Sequence, residues 1–400
     1  MTTTVRPAAP HLLTLVMAAA IGPLAMNVFL PSLPGMARHF ESDYAVMQLA
    51  VSFYLAATAA LQLLIGPASD RFGRRPVMLA CIGVFLVGTI AAVYAPTVEV
   101  LLLCRLLQAF SSAGMVISRA VVRDTVDTTA AASQIGYITM GMSVVPMVGP
   151  MIGGLLDELF GWQAGFWLTL AFGLVAFAIV LVDLRETNLF RSDSFAAQFR
   201  AYPALLGSGR FWAYALTASF SAGAFFAFLG GGPYVATEML ALSPSQYGLY
   251  FGIVSVGYMF GNFLSGRFSQ IVGINRMMLA GNLIAVAGMV LALALFALDF
   301  HHPLSLFGPV FFTGVGNGLT LPSANAGVVS VKPHLAGSAS GLGGALQIGI
   351  GAAVSVLAGA LITPQSGPSP LLLVMLASSV AAVATTLYLM HIAEVEDAVR

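Results

Sequence analysis

The chain has 400 residues, of which 58% are hydrophobic and 8% charged, and its 16 basic side chains balance 16 acidic ones. A soluble domain carries about 25% charge, so a mean hydropathy of +0.92 excludes a water-soluble fold: too few polar side chains exist to cover its surface. The even balance excludes a nucleic-acid partner, which selects a basic face. Runs of about 20 apolar residues cross a bilayer as helices. They fall at 12–35, 46–68, 77–95, 98–120, 132–156, 162–183, 211–233, 245–268, 275–298, 303–325, 335–361 and 370–391. No cleavable signal peptide precedes the first run. Cys81 and Cys104 lie in apolar runs, with no disulfide framework or metal site suggested.

In span 1, Asn27-Val28-Phe29-Leu30-Pro31-Ser32-Leu33-Pro34 sets an amide and two prolines inside an apolar run. Span 2 ends in Gly66-Pro67-Ala68-Ser69-Asp70-Arg71-Phe72-Gly73-Arg74-Arg75-Pro76, three arginines and an aspartate in a tight turn. Gly73 permits that turn, and arginines hold such a loop on the cytoplasmic side. In span 4, Arg105 and Gln108 share a helix face. An arginine within a span is expensive, so it has a partner or lines water. The same span ends in Arg119-Ala120-Val121-Val122-Arg123-Asp124. Span 5 carries Pro146 and Pro150, which kink it, with Gly149, Gly153 and Gly154, which let a neighbouring helix approach closely.

The loop G-x-x-x-D-R-x-G-R-R resembles the signature between helices 2 and 3 of major facilitator superfamily transporters. Arg105 with Gln108 resembles the family's helix-4 pattern. The span-5 sequence is similar to the antiporter motif of its drug exporters. The endings at 27–34 and 119–124 resemble the Bcr/CflA drug-resistance branch. The resemblance implies an all-α membrane protein of 12 transmembrane helices in two pseudo-symmetric six-helix bundles. It implies coupling or gating roles for Asp70, Arg71, Arg74, Arg75, Arg105, Gln108, Arg119, Arg123, Asp124, Pro146, Gly149, Pro150, Gly153 and Gly154. The branch usually carries an aspartate, thought to exchange the coupling proton, where this chain has Asn27, and an asparagine cannot titrate. Asp70, Asp124 and His334 are the remaining titratable candidates, all near the cytoplasmic face.

The polar stretch after span 6 divides the chain into residues 1–184, a linker 185–210 and residues 211–400. With both termini inside, nearly every arginine falls on the cytoplasmic side and Arg38 alone lies in an outer loop. Gly261 to Phe268 ends span 8 as a weak echo of Gly66 to Phe72. Residues near mid-span form the substrate candidates: Asn27, Phe29, Tyr54, Tyr137, Tyr258, Asn262, Asn317, Asn325 and Gln347, with Gln62 and the phenylalanines 225, 226 and 228 beside them.

The expected protein is a monomeric, multi-pass inner-membrane secondary transporter that moves a small, moderately hydrophobic drug-like molecule or metabolite outward. Its partners are that molecule, the lipid bilayer and, under one reading, protons. Two alternatives stand beside export: facilitated diffusion, and import of a small metabolite. An enzyme is not expected, since the one histidine pair, His301-His302, has only Asp299 nearby. No cofactor or metal is called for.

Overall fold

A computed structural model of the chain describes residues 9–126, 128–188, 202–332, 335–363 and 365–399. A backbone in hydrocarbon must bond to itself, which favours helices, and no strand occurs among the described residues. Twelve long helical segments do: α1 (Leu12–His39), α2 (Tyr44–Phe72), α3 (Arg74–Val93), α4 (Val98–Thr125), α5 (Thr128–Phe160), α6 (Gln163–Asp183), α7 (Gly209–Met239), α8 (Pro244–Val272), α9 (Ile274–Ala297), α10 (Pro303–Ser330), α11 (Ala336–Leu361) and α12 (Ser369–Val399). Each expected span overlaps one of them. All but α8 are apolar enough to cross a membrane by length and composition. The α8 sequence is diluted by Gln246, Asn262, Ser265, Arg267, Ser269 and Gln270.

The helices pack as two bundles with the same internal plan. α1 packs on α4, α5 and α6 as α7 packs on α10, α11 and α12; α3 meets α4 and α6 as α9 meets α10 and α12. The bundles meet along α2 with α11 and α5 with α8, which are symmetry partners. α1 is not one smooth rod. It is α-helical to Asn27, tightens to a 3-10 turn at Leu30–Ser32 and resumes at Leu33–His39. Pro31 has no N–H to give and its ring clashes with the carbonyl four residues back.

One expectation is corrected by backbone geometry. Gly73, between α2 and α3, has φ 105° and ψ 151°, and Gly273, between α8 and α9, has φ 87° and ψ 148°. The matched junctions lie 200 residues apart, so Gly266 corresponds to Gly66, not Gly261. Gln270 then stands opposite Asp70 and Ile274 opposite Arg74. The second loop keeps the turn, with Gln270, Ile271, Ile274 and Asn275 in place of the four charges Asp70, Arg71, Arg74 and Arg75, while Arg267 and Arg276 flank it.

Candidate functional site

A cavity of about 270 Å³ lies between the bundles. Pro23 of α1 and Thr139, Met142 and Pro146 of α5 line one side. Ala222, Phe225 and Phe226 of α7, Val254, Ser255 and Tyr258 of α8, Gly314, Asn317 and Leu321 of α10, and Gln347 of α11 line the other. Among the described residues no carboxylate, lysine, arginine or histidine lines it; its polar groups are hydroxyls and amides. Ser221 Oγ donates to Asn317 Oδ1 at 2.7 Å, which leaves the amide nitrogen of Asn317 with hydrogens to offer. This wall suits an uncharged molecule with an aromatic or apolar body and hydrogen-bond acceptors.

Of the expected substrate contacts, Tyr258, Asn317 and Gln347 lie in this wall, with Phe225 and Phe226. Asn262 sits one turn from Tyr258 and donates Nδ2 to its carbonyl at 2.9 Å. Tyr137 and Asn325 are exposed and lie outside the lining residues. Phe228 stacks on Phe251, 5.9 to 6.0 Å from its neighbours' ring centroids in the core. Asn27, Phe29 and Tyr54 are buried inside the N-terminal bundle, away from the cavity. Asn27 Nδ2 donates to the Pro23 carbonyl at 2.8 Å, and its Oδ1 is buried without a partner.

Phe29 and Tyr54 face Arg105 instead. The guanidinium carbon lies 4.2 Å from the Phe29 ring centroid and 4.5 Å from that of Tyr54. Arg105 is fully buried. Its Nε donates to the Ala50 carbonyl at 3.0 Å, and its Nη1 donates to Ala25 O at 3.0 Å and to Gln108 Oε1 at 2.5 Å. Gln108 passes the chain on to Thr89 Oγ1 at 3.0 Å. Ala25 is in the last helical turn before the break in α1, where carbonyls run out of helical donors. The cation is therefore held by carbonyl dipoles, an amide and two aromatic faces, and by no carboxylate among the described residues.

At one end of the bundle, Arg74 gathers the charges. Its Nη1 pairs with Asp70 at 2.5 Å and donates to Ser69 Oγ at 2.7 Å, while its Nε donates to Asp124 at 3.0 Å. Glu186, just beyond α6, accepts from the backbone N–H of Arg74 at 2.9 Å and of Arg75 at 3.4 Å, capping α3. Asn188 Nδ2 donates to the Asp70 carbonyl at 2.7 Å, and Arg75 Nη2 to that of Leu181 at 2.9 Å. Arg71 lies 5.5 Å over the Phe72 ring. Arg119 Nε is buried without a hydrogen-bond partner, and Arg123 is exposed near Gly337 of α11. His334 lies outside the described residues.

At the other end the bundles touch. Gly153 packs on the Val28 carbonyl and Gly149 on Asn27, both in the α1 break, whereas Gly154 packs on the Pro244 carbonyl of α8. Gly248 returns the contact against the backbone of Pro150. A side chain at Gly153, Gly154 or Gly248 would overlap those backbones. Glu158 Oε1 accepts from the Ser245 N–H at 3.0 Å, and Arg38 pairs with Glu238 across the boundary. Pro23, Glu186 and Thr89 are absent from the sequence-based candidates. A proline inside an apolar run marks Pro23, but nothing local marks the other two.

The sequence profile of the Major Facilitator Superfamily matches residues 15–347 and 232–398. Multidrug resistance protein D of Escherichia coli is 31% identical over 381 residues, 91% of each chain. A bicyclomycin resistance protein homolog of Haemophilus influenzae is 29% identical over 369 residues, 89% of this chain and 90% of the other. The crystal structure of the nucleoside transporter NupG has a similar fold, with a TM-score of 0.74 at 16% identity over 95% of this chain and 98% of that one.

Proposed function

The chain belongs to the Major Facilitator Superfamily, a family of multi-pass membrane transporters, and we propose that it exports a small, neutral, moderately hydrophobic molecule by alternating access. The observation that carries this reading is the uncharged, aromatic-rich cavity walled by both bundles. The drug-resistance names of its relatives support the export direction. In this reading the protein acts as a monomer in a bacterial inner membrane. Residues 1–184 and 211–400 rock about a linker at 185–210, with both termini and the Arg74 end cytoplasmic. The arrangement supports a gating role for the Arg74 cluster, since its ion pairs tie α2, α3 and α4 together at that end.

A second reading, a facilitator or importer without proton antiport, is favoured by Asn27, which cannot take up a proton. Uptake by proteoliposomes under an imposed pH gradient separates the two. A panel of amphenicol, bicyclic-peptide and aromatic compounds is the substrate set. Transport that follows the gradient supports antiport; transport indifferent to it supports the facilitator; no transport of any compound counts against the proposed substrate class. In the same assay Asn27→Asp is expected to add a pH dependence. An unchanged pH profile would remove position 27 from the coupling machinery.

A further inference from the structure

The seal at the Arg38 end has two unlike sides. Between α5 and α8 it is backbone against backbone, through Gly154 and Gly248. Between α2 and α11 it is a side chain in a slot. Gln48, at the junction of Tyr44–Met47 with Leu49–Phe72, is 1% exposed and reaches from the N-terminal bundle into the C-terminal one. Its Nε2, with two hydrogens to donate, lies 2.8 Å from the Ser355 carbonyl, 2.7 Å from Ser355 Oγ and 3.1 Å from Ser52 Oγ. The slot is open only because Gly230 and Gly359 have no side chains. A Cβ at either would overlap the Gln48 amide. By the 200-residue correspondence, the counterpart of Gln48 is Gly248, so the peg has no twin.

We propose that Gln48 is the latch that holds the transporter closed at the Arg38 end, with Gly230, Gly359 and Ser355 as its keeper. The proposal rests on the alternating-access reading above. Its physics is that of a buried amide. In the slot the Nε2 group is paired; with that end open, water pairs it. Part-way open it is dry and unpaired, the state that costs most. An amide in a slot therefore makes the seal all-or-none. The Arg38–Glu238 pair beside it is 67% and 38% exposed, so solvent screens it at every stage and it discriminates little between open and closed. Tyr44 reinforces the peg: its hydroxyl donates to the Gly230 carbonyl at 2.6 Å and its ring lies 4.7 Å from Tyr234.

Spin-label distances test it, in protein with Cys81→Ser and Cys104→Ser. Ala45→Cys with Ala360→Cys reports the Arg38 end, and Ala80→Cys with Ile271→Cys reports the other. Gln48→Ala is expected to raise the open-to-closed ratio at the Arg38 end about tenfold, the equivalent of the two hydrogen bonds of an amide NH2 group partly replaced by water. Gly359→Ala should do the same, because the added methyl forces the amide off Ser355. The double variant Gln48→Ala, Gly359→Ala should match Gln48→Ala alone, the signature of one shared contact. An unchanged distribution in Gln48→Ala, or effects that add, overturns the latch. If Gly359→Ala does not fold, the Gln48→Ala arm decides by itself. A parent protein that holds a single distance at both ends, whatever compound is added, overturns alternating access rather than the latch.

Discussion

The two bundles share a plan of helices and differ in what they hide. The N-terminal bundle buries a cation, Arg105, and clamps Arg74 between two aspartates. The C-terminal bundle has a neutral ladder in its own interior: Thr320 Oγ1 donates to Asn282 Oδ1 at 3.2 Å, and Asn282 Nδ2 to Thr386 Oγ1 at 3.1 Å. Thr217 continues it to Thr385 at 2.9 Å. The junction loop at Gly273 keeps its shape with Gln270, Ile271, Ile274 and Asn275 where the first loop has four ions. The neutral bundle also supplies most of the cavity wall. Under the proposed function one fold thus separates two tasks: charge and conformational control on one side, contact with the transported molecule on the other.

The sharpest way to break this contrast is at the two buried networks. Arg105→Leu strands the Ala25 and Ala50 carbonyls and the Gln108 amide, and should lower stability by on the order of 3 kcal/mol, since a hydrogen bond to a charged group contributes about 1.5–3 kcal/mol. Thr320→Val in the neutral ladder should cost about 1 kcal/mol. Thermal unfolding in detergent measures both, and equal losses would mean that charge does not distinguish the bundles. Next comes the pair of loops. Arg74→Ala frees Asp70 and Asp124 together and should cut transport about tenfold, a loss of about 1.4 kcal/mol. Gln270→Ala in the second loop, at the place of Asp70, should leave initial rates within about twofold, as expected of a surface change worth under about 0.5 kcal/mol. A comparable loss from Gln270→Ala would show that the second loop gates as well. A smaller effect than that of Arg74→Ala is expected in the cavity. Asn317→Leu should raise the half-saturation concentration about fivefold, one hydrogen bond of about 1 kcal/mol. Thr139→Val should raise it less, because Thr139 Oγ1 already donates to the Ile135 carbonyl at 2.9 Å. The reverse order would place recognition in the N-terminal bundle.

The fold was legible because a bilayer enforces long apolar runs and a loop as charged as Gly66 to Pro76 stands out against them. The polar α8 could still be found, since its length and its place between two clear neighbours compensated for its hydropathy. Gln108 apart, the hydrogen-bond partners of Arg105 were not legible: they are backbone carbonyls, which every residue has, so no residue type announces them. Phe29 and Tyr54 looked like cavity residues because an apolar helix gives no sign of which face turns to a cation and which to a cavity. The register of the second loop was misplaced because Gly261 and Gly266 offer similar glycines, and only a positive φ at Gly273 tells them apart. Gln48 read as an ordinary polar residue near a span end. Its slot is written in glycines some 180 and 310 residues later, where packing alone reveals it.

Arg105 never enters the cavity, yet its charge reaches beyond its contacts. Carbonyls, an amide and aromatic rings solvate the guanidinium without neutralising it, and among the described residues no carboxylate stands beside it to cancel its field. In a low-dielectric interior that field decays slowly. Under the proposed function, a lipophilic cation crossing between the bundles would meet a repulsive potential that a neutral molecule of the same shape would not. Discrimination by charge would then be built into the scaffold, ahead of any touch by the residues that line the path.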